Sequence, residues 1–426
     1  MKSKARTPIP RVAVIGAGVT GALIANELSK LREKNSIGEE APPRYDVTVI
    51  EQGAIGNGSS SRSAACIRQQ FSTQATVHGM MYSVEYYKNF AKHVGKKPSE
   101  ANVLVQNGYL FLYRDPQRFQ EAATTAVMQQ QWGLKDVEVL GPPEIRKKFP
   151  FVNTLELTGA TWCPSDGFLR PVDIYSEALE NAVRNGAKLM RNTQVNGATK
   201  RGNLITALKT TRGNVPCDIV VNATNAWAPR VSQMLEGTGL PIMSLKRFLW
   251  FLNTNHAPGV MEFPMIVAEG GQYFRPENSH QVMLGHAVDI TPEPRFSNED
   301  QDVVPWEYDL ENADGLGMQT WMELTSWVPV LEKFGKEKHG TTSGFYGTTP
   351  DHNPFIDYDP YVPNLIHACG FSGHGIMHAP FTMKIVCDLV EKGTRRWTME
   401  LNGKILDISI FAVDRNFDNH AEAMVI

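Results

Sequence analysis

Apolar and polar positions along this chain switch repeatedly between the period of a strand and that of a helix, and glycine or proline marks most of the switches. Residues 11–15 form a short apolar run that stops at Gly16; residues 19–28 then read as a helix with Ala22, Ala25 and Leu28 available for packing. A second apolar run, 46–50, ends at Glu51, and 35–44, with Gly38, Pro42 and Pro43, reads as an inserted loop. Tyr82, Tyr86, Phe90 and Val94 recur near the helical period and predict a helix over 80–94 with its aromatics in the core. Residues 108–114 predict a strand, 116–131 a helix, and 141–150 a short element punctuated by prolines. After a turn-rich stretch at 159–173, a helix from about Val172 carries Ala178, Leu179, Ala182 and Val183 on one stripe and stops near Gly186. Then follow a strand at 215–222, several strand-like runs over 245–289, an acidic solvated connection at 299–314, and a helix at 319–334 interrupted by Pro329. A last strand ends at Gly370, and the helix after it, through Phe381, Ile385 and Leu389, is expected to tolerate Pro380 in its first turn. Alternating strands and helices at both ends, with a strand-rich middle, predict a parallel α/β unit and a second, largely antiparallel layer.

The first switch carries chemistry. A tight strand–turn–helix junction gives its three glycines one purpose: Gly16 turns the chain, Gly18 lets a pyrophosphate approach the backbone, and Gly21 lets the helix lie close to the sheet. The helix N-terminus then faces the phosphates, and Glu51 can accept hydrogen bonds from an adenosine ribose. The interval to Glu51 exceeds the usual ~20 residues, which the inserted loop explains. Residues 53–71, rich in small and hydroxylated side chains such as Ser59 and Ser63, fit a loop threading close to a large ligand. A second glycine-rich junction, Gly370-Phe-Ser-Gly-His-Gly375, can point amides and a helix N-terminus at an electron-rich ring edge. An NAD-dependent enzyme would use only the first junction; the pair argues for FAD.

Bulk properties narrow the partners. The 426 residues, 42% of them hydrophobic, can fill more than one core. A net charge of −3 gives no basic field for a nucleic acid. The five cysteines, Cys66, Cys163, Cys217, Cys369 and Cys387, form no CxxC pair, so reduced, mostly buried thiols are expected, with no metal site. The first ten residues lack the apolar segment of a secretory signal, and no run of about 18 apolar residues supplies a membrane span. The expectation is a cytoplasmic protein, with peripheral membrane association left open. Subunit number leaves no signal.

Taken together, these motifs resemble the FAD-dependent D-amino-acid oxidase-like (DAO) family, which contains D-amino-acid oxidase, glycine oxidase, sarcosine oxidase and mitochondrial FAD-dependent oxidoreductase-domain proteins. The resemblance covers about 12–396 and rests on the GxGxxG–Glu unit, the Ser59 to Arg68 loop, Asp166-Gly167 with Pro171, the 222–227 stretch and the Gly370 to Gly375 run. Its flavour is nearest the sarcosine oxidase and dimethylglycine dehydrogenase branch. It implies an α/β FAD-binding Rossmann-like domain, noncontiguous over 1–100, 158–239 and 342–426, and an α+β substrate domain built on an antiparallel sheet over 101–157 and 240–341. The cofactor-binding set it implies, with the motifs, is Gly16, Gly18, Val19, Thr20, Gly21, Glu51, Gln52, Ser59, Ser60, Arg62, Ser63, Val195, Ala223, Trp227, Gly370, Ser372, Gly373, His374, Gly375 and Ile376.

Arg68 matches a substrate-carboxylate arginine of sarcosine-oxidase-like enzymes, and a guanidinium suits that task because it can bind both oxygens. Tyr273, Arg275, His286, Tyr346 and His374 complete the catalytic candidates. The family's flavin-attaching cysteine is missing from 343–348, and its alternative histidine is missing near Ser61, which implies noncovalent FAD. The carboxylate arginine that glycine and D-amino-acid oxidases place near Tyr346 is missing too. Met377 replaces an expected lysine, and 282–286 lacks the lysine used for oxygen activation, which favours a dehydrogenase over an oxidase. The expected reaction is oxidation of a primary or secondary amine of a small amino acid, such as an N-methyl amino acid, proline or a D-amino acid. The electrons then pass to a quinone, an electron-transfer protein or oxygen. A FAD-dependent hydroxy-acid dehydrogenase and a non-catalytic FAD-containing assembly factor stay open as alternatives.

Overall fold

The computed structural model describes residues 8–33, 41–287, 300–418 and 421–424. Most of the inserted loop expected at 35–44 lies outside them, as does the start of the acidic connection.

The strands Arg11–Ile15, Asp46–Ile50 and Ile219–Asn222 are β-branched runs buried on both faces, which suits the interior of a parallel sheet. They form a six-stranded sheet in the order Phe355–Tyr358, Leu365–Cys369, Ile219–Asn222, Arg11–Ile15, Asp46–Ile50, Lys188–Met190. All pairs are parallel except the first, which is antiparallel. Ile15 is level with Ile50 on one side and Asn222 on the other, and Asn222 with His367, so strands from three distant parts of the chain are brought level. One face is covered by the helices Val19–Lys30, Pro171–Arg184 and Gly375–Lys392, where Leu23, Leu28, Leu179, Ile385 and Val386 pack with Val12 and Val14. The other face packs Ala13, Ile15 and Ile50 against a three-stranded antiparallel sheet, Val195–Arg201, Leu204–Thr210 and Gly213–Pro216.

The middle of the chain builds an eight-stranded sheet, ordered Gly335–Thr348, Met243–Asn253, Gln281–His286, Gln272–Asn278, Met265–Ala268, Tyr109–Tyr113, Gly159–Cys163, Glu138–Leu140. Side chains alternate faces with period two. Leu110, Leu112, Ile266, Phe274, Leu284 and Trp250 form one core with the helix Leu316–Trp327. Tyr109, Phe111, Val267, Tyr273, Met283 and Leu249 form a smaller cluster with Cys66 on the opposite face. Gly159–Cys163 belongs to this sheet, although the sequence reading places residues 158–239 with the cofactor segments.

Several elements differ from their expected bounds. The helix expected at 80–94 is Gln74–Lys88 followed by the short helix Phe90–His93. The punctuated element is a helix, Pro142–Lys148, because prolines are accepted in a first turn. The single strand expected at 215–222 is two, in different sheets, separated where the Asp218 amide donates to the Arg11 carbonyl. Pro329 does end a helix: Leu316–Trp327 gives way to a 3₁₀ turn at Pro329–Lys333. Pro380 lies inside Gly375–Lys392, beyond its first turn. The carbonyl left without its helical donor, Ile376 O, accepts from the Tyr87 hydroxyl at 2.6 Å. All five cysteines are buried and unpaired.

Candidate active site

The strand ends at Ile15, Ile50 and Asn222 open onto a long cavity, the position where parallel sheets bind ligands. At one end the first glycine junction forms its wall. Gly16 takes a left-handed φ of +103°, and a Cβ on Gly18 would fall 2.8 Å from Ser60 Oγ. A Cβ on Gly21 would collide with the Gly16 carbonyl, so Gly21 stands behind the wall and sets how closely the helix lies. That helix, Val19–Lys30, has no acidic residue in its first turn and no side-chain cap, which leaves its positive end for an anion. Val19, Thr20, Glu51, Gln52, Ser59, Ser60, Arg62 and Ser63 line the same cavity.

Glu51 accepts from the Ala17 amide and from the Gly53 amide, each at 2.9 Å, one on each carboxylate oxygen. It therefore fixes the turn as well as facing the cavity. Ser60 Oγ accepts from the Val19 amide at 3.1 Å, and Ser59 Oγ donates to the Phe345 carbonyl at 2.6 Å, which ties the serine loop to the second sheet. Arg62 pairs with Asp302 at 2.5 Å, and Gln301 lines the cavity beside it. The connection read from sequence as a solvated edge thus contributes to the wall. Val195, Ala223 and Trp227 line the cavity together with Thr193, Val231 and Met234, an apolar pouch suited to a planar base.

At the other end, Gly373, Gly375 and Ile376 line the cavity at the start of Gly375–Lys392, again a helix with no acid in its first turn. Gly373 makes room for the Tyr346 ring, which a Cβ would strike. Gly370 and Ser372 lie outside the lining: Gly370 turns against Thr349, and Ser372 Oγ accepts from the Thr349 amide at 3.2 Å. Asn225, at a φ of +47°, joins this end to the pouch by accepting from the Gly370 and Phe371 amides.

Of the six catalytic candidates, only Tyr346 lines the cavity. Burial raises its phenol pKa, opposed by Arg247 and by a hydrogen bond with Tyr273, so the hydroxyl stays protonated at neutral pH. Tyr273 stands behind it, 5% exposed. Arg275 is engaged elsewhere: Nε donates to the Ala64 carbonyl at 2.5 Å, and Nη1 meets Glu277 at 2.7 Å. His286 has the strand parity of Leu284, so it points to the other face, where Nδ1 lies 3.2 Å from Thr320 Oγ1 and Nε2 3.2 Å from the Gly270 carbonyl. His374 is buried edge-on to Phe71, 3.4 Å from Arg68, and burial and that guanidinium hold it neutral. Arg68 is fully buried, donating to the Gln70 and Met424 carbonyls and stacked 4.0 Å over Phe71.

Two cations that the sequence reading passed over, Lys246 and Arg247, lie near this end, 5.7 Å from the Phe345 ring and 5.5 Å from the Tyr346 ring respectively. Their only signal is a Lys-Arg pair inside an apolar strand. Among the described residues no group of His, Cys, Asp or Glu is placed to hold a metal, and no helix is long and apolar enough to cross a membrane.

A parallel sheet whose strand ends carry two glycine junctions, each aiming an uncharged helix N-terminus into one cavity, defines a dinucleotide-cofactor protein with a second sheet over the far end of its site. The chain belongs to the DAO family of FAD-dependent oxidoreductases, whose model matches residues 11–389. It is similar to FAD-dependent oxidoreductase domain-containing protein 1 of Xenopus laevis, 26% identical over 90% of this chain and 79% of that protein. It is also similar to the mitochondrial sarcosine dehydrogenase of Mus musculus, 23% identical over 87% of this chain and 38% of that one. Among solved structures, L-proline dehydrogenase from P. horikoshii superposes with a TM-score of 0.79 at 28% identity, covering 96% of this chain and 98% of the other.

Proposed function

We propose that this chain oxidises the amine of a small amino acid, primary or secondary, with FAD held noncovalently in the cavity. The observation that carries the reading is the cavity's two-ended build: backbone and Glu51 at one end suit a pyrophosphate and ribose, and a protonated tyrosine under the second sheet closes the other. Sarcosine and proline, named by two of the similar proteins, are both secondary amines with a carboxylate on the α-carbon. The cofactor supplies an acceptor for the hydrogen and electron pair that leave the α-carbon. Gly16, Gly18 and the amides opening Val19–Lys30 hold the pyrophosphate without a side chain. Glu51 orients the ribose through lone pairs not used by Ala17 and Gly53. The amides at Gly373 and Gly375 would hold the electron-rich part of the cofactor at the start of Gly375–Lys392.

Tyr346, held protonated, donates to the substrate, and Arg247 beside it adds positive charge to that end of the cavity. The amine reacts neutral: it loses a proton as the α-carbon loses hydride, and the imine takes up water to give a carbonyl and a free amine or ammonia. Electrons then leave to a dye, quinone or electron-transfer protein faster than to oxygen, and a cytoplasmic setting is part of the same proposal. Anaerobic mixing of the FAD-loaded protein with sarcosine, L-proline, D-alanine and L-lactate tests it. Bleaching of the flavin by at least one of the amines is expected. Bleaching by lactate alone would replace the reading with a hydroxy-acid dehydrogenase, and no bleaching by a broad amine panel would replace it with a non-catalytic flavoprotein.

A further inference from the structure

Arg68 is fully buried, yet among the described residues no carboxylate forms an ion pair with it. Its Nε is buried without a hydrogen-bond partner. The guanidinium is satisfied in part by two backbone carbonyls, Gln70 and Met424, by His374 at 3.4 Å, and by the face of Phe71. His374 is held neutral by burial and by Arg68 itself, so it brings no counter-charge. Two carboxylates bear on Arg68 through space without hydrogen-bonding to it, and Glu422 Oε2 is buried without a partner. Asp166 accepts from Gln69 and Gln70, and Glu422 Oε1 accepts from the Ser72 amide at 2.8 Å, the Ser72 hydroxyl at 2.7 Å and the Met424 amide at 3.0 Å.

One of the two carbonyls comes from the far end of the chain. Residues 421–424 are held beside Arg68 through a short set of bonds: the Glu422 amide to the Asp351 carbonyl at 3.0 Å, the Ala423 amide to Ser72 Oγ at 2.9 Å, and the Glu422 carboxylate to Ser72. The Met424 side chain packs on the cluster of Tyr109, Leu249, Tyr273 and Met283, the face of the second sheet that carries Tyr273 up to Tyr346. Ala421 and Ala423 stay exposed. A peptide carbonyl is a weak partner for a buried guanidinium; a carboxylate offers full charge and a second oxygen that the planar fork can also reach.

We propose that residues 422–424 are a displaceable strap: the Met424 carbonyl fills the place at Arg68 that a small carboxylate takes, and the arriving anion lifts the strap. The proposal rests on the function proposed above only in making that anion the carboxylate of the amino-acid substrate. Before substrate arrives, the strap keeps Arg68 out of the cavity lining, which accounts for an arginine at a substrate position with no solvent contact.

Hydrogen exchange on the FAD-loaded protein, with sodium acetate as the probe and sodium chloride at equal ionic strength as control, tests the strap, while the flavin absorbance spectrum reports anion binding. The expected result is faster exchange of the Ser72, Glu422, Ala423 and Met424 amides at acetate concentrations that shift the spectrum, and no such response in Arg68→Met. Glu422→Gln, which weakens the hold on Ser72, should tighten acetate binding roughly fivefold or more, because the competing occupant is loosened. Acetate binding with unchanged exchange at these four amides would overturn the proposal, as would the absence of any acetate binding. Flavin reduction by amines is read separately: a responsive strap on a flavin that no amine reduces would remove the function and leave the strap, and a reducible flavin with a silent strap would do the reverse.

Discussion

Asp166 shows what a single side chain does beneath this site. It is fully buried, its Oδ1 accepts from the Gln69 amide at 2.8 Å and from Gln69 Nε2 at 3.0 Å, and its Oδ2 accepts from Gln70 Nε2 at 3.1 Å, so it pins the segment that carries Arg68. Burial pushes its carboxyl up to about 7, against the pull of those hydrogen bonds. The folded value is therefore above the unfolded one, and between about pH 4 and pH 7 the native state keeps a proton that the unfolded chain has released. Stability from this group is fully present below the unfolded pKa and is lost as pH rises to about 7, by an amount on the order of 4 kcal/mol. Urea unfolding at pH 5 and pH 7.5 should show the wild type losing stability over that window and Asp166→Asn losing distinctly less; equal losses would place the titration elsewhere. Single polar residues were the least legible feature of the sequence. Nothing in the local pattern tells that Arg275 serves the Ala64 carbonyl, that His286 faces Thr320, or that Gln301 reaches the cavity, because each partner is distant in sequence and lies on another element or loop. Glycines were legible because the backbone itself demands them: Gly16 by its φ, and Gly18 and Gly21 by what their missing Cβ would strike.

The helix Gly375–Lys392 illustrates the same contrast for a whole element. Its start after a glycine turn and its buried stripe, Phe381, Ile385 and Leu389, follow from pattern, but a proline inside it does not, since the helix is stabilised by a group outside itself. Pro380 has no amide to donate to Ile376 O, and the Tyr87 hydroxyl, from the helix Gln74–Lys88, takes that place at 2.6 Å. Tyr87→Phe strands a buried carbonyl and should cost about 1–3 kcal/mol of unfolding free energy by urea titration. In a Pro380→Ala background, where the helix regains its own donor, the same change should cost markedly less; a cost independent of residue 380 would separate the hydroxyl from the proline. The strand pattern failed where polarity alternated weakly. Val195–Arg201 and Leu204–Thr210 carry Arg201 and Lys209 exposed and Lys200 half-buried and gave no apolar run, while 215–222 gave a single run across a turn that only the Asp218–Arg11 pairing reveals.

At the scale of the molecule, the chain's two ends and its middle meet in one sheet, with the second sheet laid over the far end of the cavity. That arrangement was legible because two glycine junctions bracketed a strand-rich interior, whereas the tail over Arg68 left no sequence signal at all. The arrangement bears on where electrons go. Oxygen reacts fast with a reduced flavin when a cation sits where superoxide-like charge develops, and the lysines expected from similar oxidases would fall within 282–286 and at 377, where this chain holds no lysine and where Met283 and Met377 are buried among apolar side chains. Lys246, an ammonium of the second sheet, is occupied elsewhere: it donates to the Asp300 carbonyl and lies 5.7 Å from the Phe345 ring. The reduced protein should therefore pass electrons to a dye or soluble quinone at least tenfold faster than to air-saturating oxygen. Acid precipitation should first release all the flavin into the supernatant, since 343–348 holds no cysteine and the residues around Ser61 include no histidine to tether it. Stopped-flow mixing of photoreduced protein with each acceptor measures the ratio. Reoxidation by oxygen that outpaces the dye would mean an oxidase, and if Lys246→Met then slowed oxygen alone, Lys246 would be the cation responsible.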